Sequence, residues 1–139
     1  MRKIAFAVAI LALLLIAVLP AFADLTSGTG KSESLPGTNL GDEIRGRGGD
    51  DRIKGFRGID ILYGGPGADT VWGGRGHDDL IGGLGSIDRL VGGEGNDKFY
   101  ARQDGREDWI YGGPGFDKAY IDSRDKVTNI EKWTLRDHR

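Results

Sequence analysis

Between Gly37 and Tyr120 an aspartate returns nine times at one fixed point of a glycine-rich stretch: Asp42, Asp51, Asp60, Asp69, Asp78, Asp88, Asp97, Asp108 and Asp117. Two residues after each stands an apolar residue: Ile44, Ile53, Leu62, Val71, Leu80, Leu90, Phe99, Ile110 and Ala119. Carboxylates at this spacing, with glycines just ahead of them, supply oxygen donors in rows. The aspartate gives a short, stiff carboxylate, and glycine lets the backbone turn its carbonyls the same way. Such rows suit calcium, a hard cation that takes six to eight oxygens at about 2.3–2.6 Å in a flexible arrangement. Aspartate also favours turns through its own side-chain hydrogen bonds, but turn chemistry does not demand aspartate at one position nine times running. Zinc is poorly served, because there is no cysteine and the two histidines, His77 and His138, are far apart in sequence.

Counting back from each aspartate gives windows that begin at Gly37, Gly46, Gly55, Gly64, Gly73, Gly82, Gly92, Ala101 and Gly112. The sixth window carries one extra residue, with Ile87 inserted before Asp88; the eighth carries two, and its run from Ala101 to Asp108 lacks the glycines at the first two positions. A six-residue loop leaves only three residues for a strand in each window. Short strands and turns must then stack into a solenoid, with the apolar residue at position 8 pointing inward and positions 7 and 9 pointing outward. Ordering such a chain is costly: 25 of its 139 residues are glycine, against a usual ~7%. The small apolar side chains return too little against roughly 1–2 kcal/mol of backbone entropy per residue, so a bound ligand is the missing stabilising term.

Three windows are perfect nonamers: GGPGADTVW from Gly64, GGRGHDDLI from Gly73 and GGEGNDKFY from Gly92. They resemble the haemolysin-type, or repeats-in-toxin, nonapeptide G-G-x-G-x-D-x-U-x, in which U is large and apolar. The resemblance implies an all-β fold, a right-handed parallel β-roll of stacked repeats in which two nonamers make one coil, so that odd and even windows lie on opposite edges. It also implies that each calcium ion sits between loops adjacent on one edge. On the odd edge the ligands would be Asp60, Asp78, Asp97 and Asp117, paired as 60/78, 78/97 and 97/117. On the even edge they would be Asp51, Asp69 and Asp88, giving about three to five Ca2+ ions in all. Asp108, behind a lengthened loop, is expected to stand outside the row, and the first window, with Leu40 at position 4, is expected to start the solenoid without an ion.

The flanks read differently. Arg2 and Lys3 precede an apolar run from Ile4 to Leu19, then Pro20 and the triplet Ala21-Phe22-Ala23. Residues 1–23 are therefore expected to be a signal peptide of the Sec type, too short for a membrane span, which leaves a secreted, extracellular chain with no stable membrane insertion after cleavage. Residues 24–36 read as a flexible linker, 37–120 as the calcium-binding roll, and 121–139 as a C-terminal cap over an open apolar end. The stretch from Ile121 to Glu131 also resembles the closing segment of small exported bacterial proteins with these repeats, without the cysteine those often carry near Ile130.

Acidic residues number 21 against 19 basic ones, and loss of Arg2 and Lys3 would deepen the imbalance. With the basic residues scattered among aspartates, no nucleic-acid partner is expected. The chain is expected not to be an enzyme: it has no H-E-x-x-H and no G-x-S-x-G, and Gly30-Lys31-Ser32 lacks the upstream glycine and strand of a phosphate-binding loop. The function expected is that of a secreted calcium-ion-binding protein that folds on binding extracellular calcium. The alternative is a cell-surface or matrix adhesion module that binds a cell-wall glycan or protein partner. It rests on the outward stripe at position 9: Tyr63, Trp72, Ile81, Val91, Tyr100, Tyr111 and Tyr120. Packing of that stripe against itself from strand to strand would explain it as well.

Overall fold

Each apolar position of the repeat falls in a strand whose residues alternate between core and surface. β4 (Arg52–Arg57), β5 (Ile61–Pro66), β6 (Thr70–Arg75), β7 (Asp79–Leu84) and β8 (Arg89–Glu94) all bury their second and fourth residues. Shorter strands flank them: β1 (Leu25–Ser27), β2 (Ser34–Pro36) and β3 (Glu43–Arg45) before, and β9 (Lys98–Tyr100), β10 (Trp109–Tyr111), β11 (Lys118–Ile121), β12 (Lys126–Thr128) and β13 (Lys132–Leu135) after. The computed structural model describes residues 25–101 and 105–135, so the expected signal segment lies outside the described residues.

The chain passes from one sheet to the other at every turn. Odd-numbered strands form a seven-stranded sheet and even-numbered strands a six-stranded one, each in simple order and parallel throughout. This is a β-solenoid with two windows per coil, and the described residues contain no helix. Registers align the apolar positions: Ile44, Leu62, Leu80, Phe99 and Ala119 stack on one sheet, and Leu35, Ile53, Val71, Leu90 and Ile110 on the other. All ten are buried, and full burial of each larger one stabilises the roll by about 1.5–3 kcal/mol.

Three expectations change. The strands of the central coils are six residues long rather than three, because the glycine pair opening each window continues the parallel ladder; Gly65 pairs with Gly83 and Pro66 with Leu84. Of the expected linker, 24–36, the described residues 25–36 are part of the roll: β1 pairs with β3 and β2 with β4, and Leu35 joins the core. Of the expected cap, 121–139, the described residues 121–135 do not lie across the end. There β12 and β13 extend the two sheets as a last coil, with Val127 and Ile130 against the core and Trp133 and Leu135 exposed.

Close stacking is what makes certain glycines obligatory. Gly83 has φ 148° and Gly85 has φ 100°, both in the left-handed region. A Cβ on Gly83 would run into the carbonyl oxygen of Gly65 one coil earlier, whereas one on Gly85 meets nothing within 4 Å, because the extra residue of this window lets the loop bulge outward. Gly85→Ala is expected to cost only backbone strain, on the order of 1–2 kcal/mol. Gly83→Ala adds a clash that forces two coils apart and is expected to cost at least twice as much in chemical denaturation at saturating calcium. Equal losses would show that coil contact does not set the glycine requirement.

Candidate metal centre

The aspartates at position 6 stand in two single files, one along each edge of the roll, and each file is tied together in the same way. The backbone N–H of one aspartate donates to Oδ1 of the aspartate one coil later. On the odd edge Asp42 N reaches Asp60 at 2.7 Å, Asp60 N reaches Asp78 at 2.9 Å, Asp78 N reaches Asp97 at 2.9 Å and Asp97 N reaches Asp117 at 2.8 Å. The even edge repeats it: Glu33 N to Asp51 at 2.8 Å, Asp51 N to Asp69 at 2.7 Å, Asp69 N to Asp88 at 2.9 Å and Asp88 N to Asp108 at 2.8 Å. The last coil closes both files, with Asp108 N on Asp125 Oδ1 at 3.1 Å and Asp117 N on Glu131 Oε2 at 2.6 Å.

Asp88 and Asp108 thus keep their places. Ile87 is pushed out to 55% exposure, so the insertion before Asp88 is absorbed at the surface. Glu33, Asp125 and Glu131 complete the files, and sequence reading centred on glycine missed them. The signal was present: each is followed two residues later by Leu35, Val127 or Trp133.

The second carboxylate oxygen decides the chemistry. In Asp51, Asp60, Asp69, Asp78, Asp97 and Asp117, Oδ2 is buried with no hydrogen-bond partner. A buried polar atom left unpaired costs about 1–3 kcal/mol, more when charged, so each of these oxygens calls for a partner. The space beside it is kept open by the position-1 glycine; a Cβ on Gly55, Gly73 or Gly92 would meet Oδ2 of Asp60, Asp78 or Asp97. Main-chain oxygens border the same region. A Cβ on Gly76 would meet the carbonyl of Gly58 and stand 3.4 Å from Asp78 Oδ1.

Among the described residues no three histidine, aspartate or glutamate side chains converge on one point. A cation held here must therefore draw on carbonyls as well as carboxylates from successive loops. That donor set fits calcium and does not fit zinc. Asp42 differs, since Thr38 donates its backbone N–H to Asp42 Oδ2 at 2.6 Å and its hydroxyl to both oxygens at 3.1 Å. The carboxylate of the first window thus serves its own turn, although the window does not start the solenoid as expected, since β1 and β2 form a coil before it. In the eighth window Ala101 stands where other windows have glycine, and it is buried at 3% exposure.

Burial pushes these carboxyls up. Asp60, Asp69 and Asp97 rise to about 6 and Asp78 to about 7, chiefly through loss of water and further through the neighbouring carboxylates of the file, against the lowering effect of the donated N–H. Asp51 and Asp117 shift the same way. Folded-state pKa values above the ordinary 3.8 mean that the metal-free roll holds protons the unfolded chain releases. Its stability from these groups is full below about 3.8 and is lost as pH rises through about 6 to about 7. In chelator, β structure is expected to grow as pH falls through that window, while apparent calcium affinity falls as protons compete. Circular dichroism without metal that stays flat across the window would remove the electrostatic account.

A family model described as RTX calcium-binding nonapeptide repeat (4 copies) matches residues 36–58, 54–86 and 85–119. Neither the curated proteins nor the solved structures return a match. The matched stretches span more than half of the chain and coincide with the coils that carry the carboxylate files. This chain belongs to the RTX calcium-binding nonapeptide repeat family.

Proposed function

We propose that this protein is an exported calcium binder whose roll is completed by extracellular calcium. The observation that carries the reading is the set of buried Oδ2 oxygens without partners, at Asp51, Asp60, Asp69, Asp78, Asp97 and Asp117. Calcium between successive loops supplies the partner those oxygens lack and the positive charge the files lack. The sites are assigned to Asp60/Asp78, Asp78/Asp97 and Asp97/Asp117 on one edge, and to Asp51/Asp69 and Asp69/Asp88 on the other, about three to five ions in total. Export rests on the amino-terminal segment, where a charged start, an apolar run and Ala21-Phe22-Ala23 follow the pattern of a cleaved signal. A purely structural, non-catalytic role fits the absence from the sequence of the hydrolase motifs sought above.

Two expected outcomes test the proposal. The chain in chelator is expected to show little β signal and to gain it on calcium titration, cooperatively, with a midpoint around 10⁻⁴–10⁻³ M, the range of extracellular modules. Magnesium is expected to fail, since it prefers strict octahedral geometry and sheds water reluctantly. A chelated chain with the full β spectrum would separate folding from calcium.

The second outcome is a contrast between Asp97→Asn and Asp108→Asn. Both aspartates accept an N–H from the preceding coil, at 2.9 and 2.8 Å, and asparagine preserves that acceptor while removing the charge. They differ at position 1, where Gly92 leaves room beside Asp97 and Ala101 occupies the place beside Asp108. Asp97→Asn is expected to weaken calcium binding about tenfold or more. Asp108→Asn is expected to have a clearly smaller effect; equal shifts in isothermal titration would sink the assignment of unequal edges.

A further inference from the structure

We propose that the outer face of the even-stranded sheet is a binding track for an extended acidic polysaccharide. Outward charges differ in balance between the two sheets. On the odd-stranded sheet acids and bases are mixed: Lys98 pairs with Asp79 at 3.4 Å, Arg45 pairs with Glu43 and lies 5.2 Å from the Tyr63 ring, and Tyr100 stacks on Tyr120 at 5.1 Å with 11° between the planes, leaving Lys118 and Lys132 without an acidic partner among the described residues. On the even-stranded sheet the outward charges are nearly all positive. The strand residues β2, β4, β6, β8, β10 and β12 include one acid, Glu94, at the last position of β8, where it meets Arg75 at 3.3 Å. Lys126 is held at 2.6 Å by Glu107, which lies beyond the sheet. Arg52, Lys54, Arg57 and Arg89 have no acidic partner among the described residues, in a chain that is acidic as a whole.

Aromatic rings are interleaved with these cations. Lys54 Nζ lies 5.4 Å from the ring of Trp72, and Lys126 Nζ lies 5.4 Å from that of Trp109. Two clefts lie on this face, of about 650 and about 500 Å³, one lined by Lys54 and the other by Lys126, and they meet at Trp72, which lines both. In the first cleft the backbone is strained. Phe56 sits at φ 80°, at the position where Gly65, Gly74 and Gly83 stand in later coils, and its ring is 48% exposed. Arg57 is the register partner of Arg75, two like charges side by side. Arg47 takes a similar φ, 78°, at the same window position after β3, but it is Phe56 that lines a cleft of this face, beside the Arg57 and Arg75 pair.

The spacing selects the occupant. Neighbouring strands are about 4.8 Å apart, close to the advance of an extended sugar chain per ring. The outward rows Lys54, Trp72, Val91, Tyr111 and Arg52, Thr70, Arg89, Trp109, Lys126 give every strand of this sheet from β4 to β12 a cation or a ring to meet a carboxylate-bearing chain. Sugar rings stack their C–H faces on Trp72 and Trp109, while their carboxylates meet Lys54 and Arg89. A neutral glycan would leave the cations unused, and a lipid surface would need no aligned rings.

The test uses the chain in saturating calcium with galacturonate oligomers as probe, against neutral cellulose oligomers, phosphatidylglycerol vesicles and single-stranded DNA, read by tryptophan fluorescence and calorimetry. Galacturonate alone is expected to bind, more weakly as salt rises. Lys54→Glu combined with Arg89→Glu is expected to lower affinity by about tenfold or more, and Tyr120→Ala on the opposite face to leave it unchanged. Phe56→Gly relieves the strained backbone, so it is expected to weaken galacturonate binding without lowering the melting temperature. Circular dichroism in the same buffer reads calcium-driven folding separately. A folded chain that ignores galacturonate, binds cellulose oligomers equally well, prefers vesicles or DNA, or is indifferent to the charge reversal overturns the inference and leaves the calcium reading standing.

Discussion

The structure depends on a single hydrogen bond used over and over: the backbone N–H of one carboxylate residue donated to the carboxylate of the next coil. It sets the register between coils at the turn, where a glycine-rich backbone has no side chains to set it. It also drags a charged group into the edge of the core. Once Oδ1 is committed to the N–H, Oδ2 is turned toward the start of its own window, and only glycine leaves room there. The glycine requirement at position 1 is therefore a consequence of the carboxylate and not an independent turn preference. The same burial raises the carboxyl pKa values, and the same crowding makes a divalent cation the natural counterion.

This arrangement divides the work of stabilisation between two parts that neither succeed alone. The core is a single column of side chains per sheet, from Leu35 to Ile121, and it is thin for a chain that must order so many glycines. The edges supply the rest only when their charge is neutralised. A proton does this at one oxygen; under the proposed function calcium does it while joining one loop to the next. Coils at the centre gain most, because Asp78 and Asp97 have carboxylate neighbours on both sides, whereas Asp42 is already occupied by Thr38 and the last coil ends on Glu131.

How much of this was legible in the sequence follows from what a period can carry. The nine windows, the position-8 core and the two-window coil all follow from the fixed step of two residues between aspartate and apolar residue, and the core and the coil stand where expected. The ends were illegible for a physical reason. Once the full glycine set is used to locate a loop, a coil that keeps only some glycines, as with Gly28 and Gly30 ahead of Glu33, or none, as around Asp125, disappears into linker or cap. The pair of carboxylate and apolar residue two positions later is the more durable signal, because the hydrogen bond and the core contact both depend on it, while glycine is needed only where a coil follows closely. Asp108 makes the same point from within the repeat, since its loop is longer yet its carboxylate is held as firmly as that of Asp97.

Positions 1, 2, 4, 6 and 8 are thus consumed by stacking, by the carboxylate file and by the core. Position 5 is used in part as well, since Asp50 links Ser32 to Ala68 across two coils, and His77 and Asn96 continue a second chain of this kind to Phe116. What stands at positions 7 and 9 is not dictated by the roll, as the contrast between its two sheets shows. On one sheet these positions mix acids with bases and stack tyrosines; on the other they hold cations and no acid, with Lys54 lying over Trp72 and Lys126 over Trp109. A repeat that needed only to fold would have no reason to treat its two faces differently, because both carry the same backbone, the same core and the same carboxylate ladder. The surplus of cations on one face is therefore not a requirement of stacking, and it is the feature on which the proposed binding track rests.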